Sequence, residues 1–77
     1  MKEYQLVRIT TENSLGWYDT EEAALENIAN EVSIVGADKA TRNVALHRVT
    51  TASDEVIAAG EALVSRALER FPQRRSA

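Results

Sequence analysis

At 77 residues the chain has room for one small domain built around a single core, and its 44% hydrophobic and 27% charged residues are those of a folding chain rather than a disordered one. The absence of cysteine excludes disulfides and thiolate metal sites, so packing or association with a partner must hold the fold together. A net charge of −3 argues against a general affinity for nucleic acid or anionic membranes, which need a basic surface.

Tyr4 to Thr10 is rich in β-branched and aromatic residues and predicts a first strand, with Thr11 to Ser14 as the turn. Leu15 to Tyr18 then predicts a short second strand in an antiparallel hairpin. Trp17 and Tyr18 point to opposite faces of that strand, with Trp17 expected in the core and Tyr18 partly exposed; whichever ring is exposed is a candidate interface anchor. Asp19 with Glu22 has the form of a capping box, and Thr20 is the alternative cap. Leu25, Ile28, Ala29, Val32 and Val35 fall on one helical stripe, which predicts a helix from about Thr20 to Val35, stopped by Gly36 and acidic on its outer side.

Ala37 to Thr41 reads as a linker, and Val44, Leu46 and Arg48 alternating with Ala45, His47 and Val49 predict the third strand. Ser53 to Phe71 admits two readings. As one helix it carries a continuous apolar stripe, but Gly60 costs about 1 kcal/mol in a helix interior, and Val56 and Ile57 are β-branched. The favoured reading makes Glu55 to Ala58 a short fourth strand and starts the helix near Gly60. Either way the helix ends at Phe71, because Pro72 cannot donate the next hydrogen bond. Residues 72–77 are expected to form a mobile basic tail beyond a single domain of residues 1–71. The predicted architecture is an α+β two-layer sandwich, an antiparallel three- to four-stranded sheet with two helices on one face and open edges (ββαβ(β)α). No internal repeat is evident.

Charge is unevenly placed. Between Ile9 and Ala37 no base offsets Glu12, Asp19, Glu21, Glu22, Glu26 and Glu31, a charge of −6, whereas from Lys39 onward the balance is +3. Such runs read as solvated faces or as a basis for head-to-tail or partner recognition. Arg66 and Arg70, with Arg42 and Arg48 from the third-strand region, form a candidate patch for an anion or an acidic partner. Val64, Leu68 and Phe71 on the last helix join Trp17 and Tyr18 as candidate interface residues.

The chemistry of catalysis is thin. His47 is the only histidine and reads as a surface or hydrogen-bonded structural residue; no G-x-S-x-G elbow surrounds a serine, and Lys39 lacks the glycine spacing of a phosphate loop. Glu22 and Glu26 lie one helical turn apart on a face expected to be solvated, where nothing separates their pKa values. No catalytic residue, metal site or cofactor is expected. The passage Tyr18 to Asn27, a D-T-x-E-E-A-L-like run after a strand, is similar to the strand-to-helix passage of HicB-type antitoxins, although the glycine-rich approach and the DNA-binding segment of that family are not evident. The favoured function is a non-enzymatic protein-interaction or regulatory domain acting as a homodimer or subunit; the alternative is a nucleic-acid-associated regulator of antitoxin type using the C-terminal arginines. No apolar run approaches the roughly 18 residues of a membrane span, and the N-terminus does not resemble a signal peptide. The expected location is therefore cytoplasmic, without a membrane partner.

Overall fold

The computed structural model describes residues 3–72. The chain runs β1 (Tyr4–Arg8), β2 (Asn13–Tyr18), α1 (Glu21–Val35), α2 (Ala37–Thr41), β3 (Val44–Val49), β4 (Asp54–Ala59) and α3 (Gly60–Arg70). All neighbouring strands are antiparallel in the order β2-β1-β3-β4, and the helices pack on one side of the sheet. This is the expected α+β sandwich, with the fourth strand present.

Gly60 explains why the strand reading of residues 55–58 prevails. It sits at the junction of β4 and α3 with φ +56°, a left-handed conformation that a side chain disfavours, and lets the strand turn directly into the helix. Two elements differ from expectation. Ala37–Thr41 is a one-turn helix rather than a linker, set off from α1 by Gly36 at φ +89°; five residues are too few for a periodic pattern to announce it. At the start of α1 Thr20, not Asp19, is the cap, its Oγ1 accepting from the Ala23 N–H at 3.1 Å.

Register organises the sheet into rows that alternate between its two faces. On the helix side the central row is Gly16, Leu6, Leu46, Ala58, with the two leucines opposite one another on the inner strands and small residues at the edges. Leu25, Ile28 and Ala29 of α1 and Leu63 and Ala67 of α3 close over this row to form the core. Tyr18 lies opposite Tyr4, on this same side, and its ring folds back so closely over Gly16 that a Cβ there would stand 2.9 Å from the Tyr18 hydroxyl. The expected placement of the aromatic pair is thus reversed: Tyr18 packs against the core, and Trp17 is on the outer face with 42% of its surface exposed.

The fold also contains a repeat that the sequence conceals. Each half is a strand, a four-residue connection, a second strand and a long helix. Each hairpin is interrupted at the same place, by Leu15 between Gly16 and Ser14 opposite Leu6/Val7, and by Ile57 between Ala58 and Val56 opposite Leu46/His47. The halves are related by an approximate twofold axis through the Leu6–Leu46 pair.

Candidate functional site

The face of the sheet turned away from the helices is a surface of two rows. One is Trp17, Gln5, His47, Val56; the next is Ser14, Val7, Ala45, Ala59. The first row places a large apolar residue at each edge and a polar pair at the centre. The second is low, and together with Ile9, Glu12 and Asp54 it frames a shallow hollow of about 430 Å³. Ile9 is 51% and Val56 59% exposed, so apolar surface reaches water from three corners of the face. The lining of the hollow includes only two carboxylates, and one of these is engaged: Asp54 Oδ1 lies 2.8 Å from His47 Nδ1, across the β3–β4 pair. His47 is therefore hydrogen-bonded across the strand pair, half-buried on this face.

Of the candidate interface residues, only Trp17 belongs to this face, where it shares a row with His47. Leu68 and Phe71 are partly buried and pack against the core, as does Tyr18, and Val64 is half-buried beside α2. Ile9 and Val56 belong to the face without being among the candidate interface residues of the sequence. The signal for them lies in β1, where Leu6 and Val7 are adjacent apolar residues: consecutive strand residues face opposite ways, so both faces of the sheet carry apolar side chains.

The four arginines of the candidate patch are not brought together. Arg42 precedes β3 at the end of the sheet where β1 finishes, whereas Arg48 pairs with Tyr4 at the start of β1. Each has a carboxylate of its own: Arg42 with Asp38, Arg48 with Glu3 at 3.5 Å, Arg66 with Glu21 at 2.5 Å, and Arg70 with Glu22. The last two pairs join α3 to the first turn of α1, since the helices run antiparallel. The Glu22 carboxyl is held below the usual glutamate range by its own backbone N–H and then by the Arg70 guanidinium. Arg66 is held further into its charged form, chiefly by the hydrogen bond to Glu21. Two of the six acids of the acidic stretch, Glu21 and Glu22, are therefore met by arginines of the second half within the molecule. Arg74 and Arg75 lie outside the described residues, as does the tail from residue 73 on.

A second cavity, of about 620 Å³, opens on the helix side between α1, α2 and the β1–β2 hairpin. Arg8, Lys39 and Arg42 reach it, with Asn27, Asn43 and the Tyr18 ring at its walls. Partial burial raises the Tyr18 hydroxyl above its usual pKa. Among the described residues no group of three or more His, Asp or Glu side chains is arranged to hold a metal ion, and no helix is long and apolar enough to cross a membrane.

Comparison of the chain with known protein families, with curated proteins and with solved structures finds no match. The likeness of Tyr18–Asn27 to HicB-type antitoxins rests on those ten residues alone.

Proposed function

We propose that the protein is a non-enzymatic interaction domain that works as a homodimer, two copies meeting through the bare faces of their sheets. The observation that carries this reading is that one face holds both a projecting ring, Trp17, and a hollow floored by Val7, Ala45 and Ala59 that Trp17 does not itself line. A twofold interface needs such self-complementarity, because whatever one copy offers the other must receive. Charge favours it too. The chain is acidic, but Glu12 is the single carboxylate of the hollow without a partner among the described residues, so two such faces approach with little repulsion.

Four strands about 4.8 Å apart, each five or six residues long, present roughly 350 Å² in projection. That is less than half of the roughly 800 Å² per partner of a standard interface, and the association expected is weak and transient rather than permanent. The alternative of a nucleic-acid regulator gains nothing from the arginines, since Arg66 and Arg70 are spent on Glu21 and Glu22.

Trp17 is the chain's only tryptophan, so its fluorescence reports on the face directly. Its emission is expected to move to shorter wavelength as concentration rises, in step with doubling of mass in sedimentation equilibrium. Val56→Glu, which places a charge on an exposed position, should give a monomer with water-like Trp17 emission and unchanged circular dichroism. A wild-type chain that stays monomeric, with water-exposed Trp17 at millimolar concentration, would overturn the reading.

A further inference from the structure

We propose that the cleft between α1, α2 and the β1–β2 hairpin binds a small molecule through a carboxylate or phosphate group. The argument begins with a census of cations. The described residues include six Lys and Arg side chains, and Arg42, Arg48, Arg66 and Arg70 each have a carboxylate partner. The remaining two, Arg8 and Lys39, form no ion pair among the described residues, and both line this one cleft. In a protein with an excess of acids, two unpaired cations from distant points of the sequence are brought to one cavity.

The rest of the lining suits a small organic anion. Leu6, Ile28 and Val44, all core residues, form an apolar floor. Asn27 and Asn43 add side-chain amides that both donate and accept. Asn43 is held in place by an unusual backbone: with φ +57° it turns the chain from α2 into β3, and its carbonyl accepts from the Ile9 N–H at 2.6 Å. A volume of about 620 Å³ is that of a ligand site rather than a water pocket. Glu31 is the counterweight. As the cleft's one carboxylate it leaves an excess of a single positive charge once Arg42 is assigned to Asp38, which favours a ligand with one anionic group over a polyanion such as nucleic acid. It also offers an acceptor to a hydroxyl or amine on the same ligand. This site lies on the helix side of the sheet, so it stands or falls independently of association through the bare face.

The test is a two-dimensional amide NMR titration of the full chain with inorganic phosphate and, separately, with acetate, against chloride at equal ionic strength. Saturable shifts centred on the side-chain amides of Asn27 and Asn43 are expected with at least one of the two, and the tighter of the two identifies the group as phosphoryl or carboxyl. Arg8→Gln and Lys39→Gln, both at exposed positions, should each weaken binding about tenfold, as expected for loss of a charge-assisted hydrogen bond. Glu31→Gln should strengthen it. Shifts that never saturate, that chloride reproduces, or that persist unchanged in both Arg8→Gln and Lys39→Gln would overturn the proposal.

Discussion

The two halves of the molecule reach the same shape by different local means. In the first, a side-chain cap at Thr20 starts α1 after a two-residue break from β2; in the second, Gly60 bends β4 straight into α3 with no side-chain cap at all. The first half carries its helix charge as Glu21 and Glu22, the second as Arg66 and Arg70, and these are what tie the helices together. The comparison teaches that a twofold backbone does not need a twofold sequence. Leu6 and Leu46 on the axis must match, because each packs against the other's strand, while each helix start need only be initiated somehow.

The largest effect should come from the axis. Leu46 is fully buried and Leu6 nearly so, and truncating either to Ala should cost about 2–5 kcal/mol, which in a domain this small approaches the whole of its stability. Urea unfolding followed by circular dichroism checks whether the two losses are alike, as equivalent positions require. A loss at one position alone would show that the halves are alike in outline only.

The two helix starts give a smaller and more pointed contrast. Gly60→Ala should lose about 1–2 kcal/mol through its left-handed backbone, and Thr20→Ala about 1 kcal/mol through an unsatisfied first turn. Alanine has the higher intrinsic helix propensity at Gly60, so a loss there would identify backbone conformation as the cause, while a loss at Thr20, which lies outside the helix as its cap, would identify capping. In peptides spanning the two helix starts, helicity would rise for Gly60→Ala and fall for Thr20→Ala, while the stability of the folded chain fell in both.

Smallest of all should be the charge pairs between halves. Arg66 is more than a third exposed, so reversing Glu21 or Arg66 singly should cost well under 1 kcal/mol, and the double reversal should recover most of it at low salt. Glu22 adds a dependence on pH. Since its folded pKa lies below the unfolded value, its contribution is complete above the ordinary glutamate range and is lost as pH falls through the lowered value. Glu22→Gln should therefore narrow the gap in stability between neutral and acid conditions, measured as denaturation midpoint against pH.

Much of this architecture was legible in the residues. The Leu25–Ile28–Ala29–Val32 stripe, the β-branched strands and Pro72 are local signals, and each element they announced is present. What escaped was set by register. Trp17 faces outward and Tyr18 inward because Tyr18 pairs with Tyr4 on the Leu6 side, a fact that only the strand pairing reveals. Arg48, Arg66 and Arg70 looked like parts of a patch because their carboxylates, Glu3, Glu21 and Glu22, lie far off in the chain, whereas the partner of Arg42 is local, four residues before it at Asp38. Arg8 gave no signal as a site residue, since a lone base at a strand end is ordinary, and only the fold brings it to the same cavity as Lys39.

The bulges at Leu15 and Ile57 have a consequence for assembly. Each breaks the even run of backbone donors and acceptors along an outer strand, which disfavours the pairing of a foreign strand along either margin of the sheet. Sideways growth is disfavoured by geometry, and among the described residues the sheet has one bare face, because the helices clothe the opposite side. Under the proposed association, two sheets that meet through these bare faces would leave neither face free, so the contact would be self-limiting.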